Sequence, residues 1–341
     1  MASIVIHANP VRSAADFGDV RAEFHTLVAD CAIYSLDSVA SIALTGGDRV
    51  RWLNGMVTNN IRDLSAGRGI YAFLLNPQGH ILGDLYAYNQ GDSLLIQSGR
   101  FQLEKLLATF DHYIIMDDVE VADVTDQRAG IGAAGPRSRE VLRAAGLEVP
   151  KLDPLQFVDL PWHDSTLTVV RGDYPDVESY EFWVAPDQSL LLWEALTRSG
   201  AKPAGTTALE MFRIATGIPR YGQDIRERDL PQETEQARAL HFSKGCYIGQ
   251  EIVERIRSRG NVHRKFTGFK VQGDLPPVGS KIQADERDIG EITSTASLPT
   301  ASGERSVALG YIRREMAMLG QPITAGNAQL SVATLPFPEV F

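Results

Sequence analysis

The strand-like runs in the first hundred residues are joined by turns too short to hold a crossover helix, and this limits the possible folds sharply. Ser41-Ile42-Ala43-Leu44 leads into the turn signal Gly46-Gly47-Asp48, after which Val50, Leu53 and Met56-Val57 recur at helical spacing. Tyr71–Leu75 reads as a strand ending in the turn Asn76-Pro77-Gln78-Gly79, and His80–Tyr88 reads as its hairpin partner. Leu94-Leu95-Ile96 gives a third strand, and Phe101, Leu103, Leu106, Leu107 and Phe110 share one helical face. Parallel pairing needs a connection of about a dozen residues or more, so this order predicts an α+β unit with an antiparallel sheet.

Residues 146–162 carry Pro150, Pro154 and Pro161 and read as a connection or sheet edge. Strands resume at Leu167–Val170 and Phe182–Val184, with helices near 187–198 and 207–216. After about residue 265 short strands alternate with glycine and proline turns, at Thr267–Val271, Gly290–Thr293, Val307–Tyr311 and Gln329–Thr334. That pattern predicts a small C-terminal β-barrel of ~75 residues. The expected division is therefore 1–265 and 266–341, the first part holding two intertwined α+β modules.

Composition removes several functions. The 341 residues carry 33 basic and 43 acidic side chains, a net charge of -10. A chain that grips nucleic acid over its whole surface has the opposite balance, so direct nucleic-acid binding is not expected. The two cysteines, Cys31 and Cys246, lie far apart and outside any CxxC pair. They can form neither a zinc ribbon nor a disulfide framework, nor hold an iron–sulfur cluster alone. The histidines show no HxH or HxxxH spacing, and no resident metal is expected. No P-loop, GxGxxG or GxSxG is present. The apolar start Ile4-Val5-Ile6 is too short for a signal peptide, and no later run spans a bilayer, so a cytoplasmic protein without a membrane partner is expected.

Chemistry concentrates in Lys244-Gly245-Cys246-Tyr247-Ile248-Gly249-Gln250-Glu251. Ile248, Ile252 and Ile256 follow at helical spacing, which places Cys246 just ahead of a helix N-terminus. Helix N–H groups and the nearby Lys244 would favour a thiolate there, with Gly245 and Gly249 allowing close backbone approach. A buried cysteine packed as a small hydrophobe is the competing reading. Cys31 reads as a packing residue at a helix end. The stretch from Glu251 to Lys270 holds six basic residues, among them Arg255, Arg257, Arg264 and Lys270, against Glu251 and Glu254. It reads either as a polyanion site or as a solvated face with pairs such as Glu254–Arg257. Asp84 on the hairpin, with Tyr71 on the strand before it, and Glu181 between Tyr180 and Phe182, place carboxylates beside aromatic rings. Such pairs hold an aminopyrimidine ring by paired N–H bonds and stacking; strand-edge acids facing water are the alternative.

These residues resemble the folate-binding YgfZ family, a branch of the larger family that includes the T-protein (aminomethyltransferase) of the glycine cleavage system. The resemblance rests on KGCYIGQE at Lys244–Glu251, on Trp52-Leu53-Asn54-Gly55 and on NPQGHILGDL at Asn76–Leu85. RIATGIPRYGQD at Arg213–Asp224, Leu230–Glu233 and Gly290–Ser294 extend it. It implies a ring of modules around a central folate pocket with a C-terminal barrel, and tetrahydrofolate or a derivative as cofactor. It further implies Tyr71, Asp84, Tyr174 and Glu181 as folate-binding residues, and Cys246 with Lys244 as a reactive thiolate and its charge partner. Gly83 stands where T-proteins carry an acid, Leu209 where they carry an arginine, and Pro175, Asp176 and Val177 replace their glycines and threonines.

Three functions compete. The resemblance implies a folate-binding accessory protein for iron–sulfur cluster assembly or repair, whose partners are cluster enzymes, tRNA-modifying ones included. The alternative is a tetrahydrofolate-dependent aminomethyltransferase, with Asp84 at the nitrogen carrying the one-carbon unit. An RNA-binding protein acting through residues 251–270 ranks last because of the net acidity.

Overall fold

The computed structural model describes residues 11–174, 176–260, 262–300, 302–318 and 322–341; the apolar run Ile4–Ile6 and Pro175 fall outside these. The chain forms two compact units. The first runs to Gly55 and takes in Asn59–Ala72 and Leu85–Ala208, and the second holds Met56–Thr58, Phe73–Asp84 and Leu209–Phe341.

In chain order the elements up to residue 208 begin with α1 (Val20–Ala29), β1 (Ala32–Ser35), β2 (Val39–Thr45) and α2 (Arg49–Met56). The hairpin β3 (Arg68–Leu75) and β4 (Ile81–Asn89) follows, then β5 (Leu94–Gly99), α3 (Leu103–Tyr113) and β6 (Glu120–Asp123). Next come β7 (Ala129–Ala134), α4 (Ser138–Ala144), β8 (Phe157–Trp162), β9 (Ser165–Arg171), β10 (Ser179–Val184), α5 (Ser189–Arg198) and β11 (Lys202–Pro203). One sheet has the order β11-β1-β7-β10-β9-β8 and the other β3-β4-β5-β2-β6. Pairing is antiparallel throughout the six-stranded sheet except at β1–β11, where the two-residue β11 runs parallel.

Alternation assigns the two faces of the six-stranded sheet. Ile33, Ile131, Val169 and Phe182 pack with Val141, Leu142, Leu192 and Leu196 of α4 and α5, and Cys31 is buried in the same core. Burial pushes the Cys31 thiol up to about 11, in keeping with a packing role. The opposite register, Val170 and Trp183, packs with Tyr88 and Leu95 of the five-stranded sheet. The proline-bearing segment includes a strand, β8, and it is the sheet edge; Pro161 is tolerated there because an edge strand needs no second ladder.

The second unit carries α6 (Thr206–Thr216) and α7 (Gln250–Arg259), and a closed six-stranded barrel. Its strands are β12 (Arg264–Gln272), β13 (Lys281–Ala284), β14 (Arg287–Thr300), β15 (Gly303–Arg313), β16 (Ile323–Ala325) and β17 (Ala328–Ala333). Phe269, Ile282, Ile292, Ile312 and Leu330 fill its interior.

A buried ion pair ties α6 to the barrel. The Arg213 guanidinium uses all its N–H groups: Nε and Nη2 on Glu210 at 2.9 and 2.8 Å, Nη1 on Asp224 at 2.7 Å and on the Ile218 carbonyl, and Nη2 on Ser294 at 2.8 Å. Asp224, fully buried, also accepts from Arg220 N and from the hydroxyls of Thr293 and Ser294. Adjacent strand residues normally face opposite ways, but the β14 register shifts between Ile292 and Ser294. That bulge turns both hydroxyls onto one carboxylate. Removing one partner leaves the other charge buried and uncompensated, so Asp224→Ala is expected to cost about 3–5 kcal/mol in urea unfolding.

Candidate functional site

In the first unit, Tyr34 of β1, Gly132 of β7 and Glu181 of β10 lie opposite one another across three strands. A Cβ at Gly132 would sit 2.1 Å from the Tyr34 ring, so only glycine lets that ring lie flat across β7 towards Glu181. Glu181 faces away from the helix-packed core, and Trp183, two residues on, donates its Nε1–H to Glu181 Oε2 at 3.4 Å. Burial raises the Glu181 carboxyl above the ordinary glutamate range, opposed by the Trp183 hydrogen bond. Burial, then the nearby Tyr174 and Glu181, push the Tyr34 phenol well above its ordinary value.

Aromatic rings continue from there. Trp183 meets Tyr88 edge-to-face at 4.8 Å, Tyr88 stacks on Tyr86 at 6.4 Å, and Tyr86 lies 5.0 Å from Tyr71. Tyr86 Oη donates to Asp173 Oδ1 at 3.3 Å. Tyr71 and Glu181 thus belong to one unit and to one aromatic, acid-bearing surface, and Tyr174, in the same unit, lies near Tyr34. Sequence reading missed Tyr34, Tyr86 and Trp183, which the alternation of β1, β4 and β10 places on that surface. A buried carboxyl among π-faces accepts paired N–H donors from a flat heteroaromatic ring, which fits the aminopyrimidine of a pterin.

The remaining predicted residues lie in the second unit. Asp84 is half-buried on β4. Its strand is pinned by Ile81 N donating to Asp229 O at 3.1 Å and by the Tyr221 hydroxyl donating to Leu82 O. The segment before α7 packs on the hairpin turn through two glycines. A Cβ at Gly249 (φ 79°) would lie 2.6 Å from Asn76 O, and one at Gly79 (φ 78°) would lie 2.7 Å from Ile252 Cβ. Gly245, by contrast, faces open space, so the close-approach role expected of both glycines belongs to Gly249 alone.

Two expectations about Cys246 change. Gly249, in the left-handed region, is the N-cap of α7, so Ile248 precedes the helix and Cys246 stands three residues ahead of the cap. The helix dipole fades within a turn and gives this thiol little support. Cys246 is exposed, whereas Lys244 is buried: its Nζ donates to Val57 O at 2.6 Å and lies 5.0 Å from the Tyr247 ring centroid. The structure therefore ties the Lys244 ammonium to backbone and ring. Burial lowers Lys244 from 10.5 to about 7. In the basic stretch, Arg257 pairs with Glu254 on the exposed face of α7, as the solvated-face reading expects, whereas Arg264 on β12 is held against the buried Asp229 and Glu233, and Lys270 pairs with Glu339. Among the described residues no group of three or more histidine, cysteine or acidic side chains is placed to hold a metal ion. No helix among them is long and apolar enough to cross a membrane.

Two stability measurements test these environments. Glu181→Gln is expected to raise Tm at pH 7, because a carboxyl with a raised pKa favours the fold only when protonated; the gain should vanish below about pH 4. For Lys244 the folded state binds fewer protons than the unfolded one between about 7 and 10.5. The unfolding free energy of wild type relative to Lys244→Met should therefore climb as pH rises from 7 to 10.

Residues 7–244 match the GCVT N-terminal domain, and residues 263–337 match the CAF17 C-terminal beta-barrel domain. The aminomethyltransferase of Rubrobacter xylanophilus is 26% identical over 326 residues, covering 94% of this chain and 84% of that protein. That of Halothermothrix orenii is 28% identical over 305 residues, covering 86% and 83%. The crystal structure of the glycine cleavage system aminomethyltransferase T from Bartonella henselae superposes with a TM-score of 0.85 at 22% identity, over 97% of this chain and 95% of that one, which establishes the fold. With a GCVT domain over most of its length and a CAF17 barrel behind it, the chain belongs to the folate-binding GCVT family, in the YgfZ branch related to the aminomethyltransferases.

Proposed function

We propose that this protein binds tetrahydrofolate or a close derivative and acts as a cytoplasmic accessory factor in iron–sulfur cluster assembly or repair, supporting cluster enzymes that include tRNA-modifying ones. The observation that carries folate binding is the Glu181 carboxyl, kept above its ordinary pKa among Trp183, Tyr34 and the tyrosine cluster. A buried acid disfavours the bare fold and suits a ligand bearing N–H donors. Tyr71 and Tyr174 contribute ring surface; Asp84, in the second unit, is a folate-binding candidate on the family resemblance alone. When bound, the folate would supply one-carbon chemistry; this chain's residues hold and orient the pterin and exclude water from it.

The exposed Cys246 carries the accessory role. A single thiolate supplies one cluster ligand, so contact with a cluster or persulfide has to be shared with a partner protein. Lys244, fastened to Val57 O, acts by positioning the loop that presents Cys246.

The second reading, a tetrahydrofolate-dependent aminomethyltransferase, draws on the activity named for the relatives and on Asp84 as base. Gly83 and Leu209, in place of an acid and an arginine of T-proteins, weigh against it.

Calorimetric titration with tetrahydrofolate is expected to show saturable binding that weakens at least tenfold in Glu181→Gln and Asp84→Asn. Equal affinity in the variants would remove those anchors. Cys246→Ala should keep wild-type folate affinity yet fail to restore cluster-enzyme activity in a strain lacking the protein; full restoration would end the thiol role. Ammonia release from an aminomethyl donor in the presence of tetrahydrofolate would establish the transferase instead.

A further inference from the structure

The first unit encloses a cavity of about 230 Å³ on which neither the folate reading nor the thiol draws. Its lining comes from both sheets: Ser41 of β2, Gln97 of β5, Arg128 just ahead of β7, and Trp183 of β10, with Arg12 and Arg100 as further cations. Ser41 and Gln97 are direct cross-strand partners, and Gln97 is also the partner of Tyr86, so the three share one face of the five-stranded sheet.

Two features set this cavity apart from a packing gap. Gln97 is 7% exposed, and among the described residues no group hydrogen-bonds its side-chain amide. Its amide atoms keep accessible surface, and the residue lines the cavity, so its donor and acceptor are open to a ligand there. Arg128 is half-buried, and among the described residues its guanidinium has no hydrogen-bond or ion-pair partner. Burial pushes the Arg128 pKa down, opposed only by the attraction of Asp159.

The acids at the cavity do not offset that charge. Asp37 accepts from the backbone N and the hydroxyl of Ser13, and Asp126 is engaged by Arg100 at 3.4 Å. Three arginines against two occupied aspartates leave an electropositive, donor-rich recess beside one indole.

We infer that this cavity binds the oxyanion end of a small molecule, a carboxylate or a phosphate, with Arg128, Gln97 and Ser41 as its donors. Guanidinium is the group best matched to a two-oxygen anion, and a side-chain amide and a hydroxyl complete the donor set. The volume admits a compact acid of a few carbons or a phosphate, about the space of seven waters, and is too small for a nucleotide. The site is separate from the anchors proposed for the pterin, although Trp183 borders both.

The test is calorimetric titration of the full chain with inorganic phosphate and, separately, with succinate, in low-salt buffer. One of the two should bind saturably at one site per chain, and which one does so identifies the oxyanion. Arg128→Gln and Gln97→Leu should each weaken that binding tenfold or more, Arg128→Lys should restore part of it, and Arg143→Gln, on the exposed face of α4, should leave it unchanged. Unaltered circular dichroism and tetrahydrofolate affinity in Arg128→Gln would show that the fold and the folate site are intact. Absence of saturable binding for both anions, or wild-type affinity in Arg128→Gln, would overturn the assignment.

Discussion

The second unit depends on one guanidinium. Arg213 is 8% exposed at its side chain and donates to a helix neighbour, a loop carbonyl, a buried aspartate and a barrel serine. The four acceptors come from three parts of the chain, so α6, the 218–225 loop and β14 are held to one geometry. A hydrophobic contact would tolerate sliding by an ångström; a planar fork with every N–H engaged does not. Tyr221 of that loop, and Asp229 just beyond it, fix the tip of the β3–β4 hairpin bearing Asp84.

The first unit solves a different problem, that of keeping a carboxyl and polar side chains inside an otherwise apolar seam. Glycine at position 132 lets Tyr34 cover β7 and leaves Glu181 without a side chain directly opposite on that strand, while Val170 faces it from β9. A core optimised only for stability would fill that space with a branched apolar residue. The departure from such a core involves Glu181, which the sequence resemblance implies as a folate-binding residue, and local rules are commonly broken for function.

Much of the fold was legible because hydrophobic alternation is a direct record of burial. It located β2, β3, β4, β5, β9 and β10, the barrel strands β12, β14, β15 and β17, and the helical spacing of α3, α5 and α6. It did not locate β7, whose sequence AGIGAA lacks every strand-favouring signal but Ile131. The reason is tertiary: Tyr34 and Leu36 lie where side chains at Gly132 and Gly130 would be. Pro161 concealed β8 for a similar reason, since only its edge position makes proline acceptable. The start of α7 was misplaced because Ile248 matched the period while Gly249 broke it. Site residues followed the same division. Glu181 and Asp84 stood beside aromatics in sequence, whereas Ser41, Gln97 and Arg128 come together only through sheet pairing and have no local signature.

The irregularity in β14 has a wider meaning. Strand pairing rewards regularity, and an extra residue in a ladder is ordinarily a defect to be trimmed. Here that residue is what permits two neighbouring hydroxyls to reach Asp224 together. Shortening β14 by one residue would give a tidier cylinder and, at the same stroke, a cylinder with nothing to grasp. Closure of the barrel and its attachment to α6 are thus competing demands on the same two amino acids, and the chain has settled the conflict in favour of attachment.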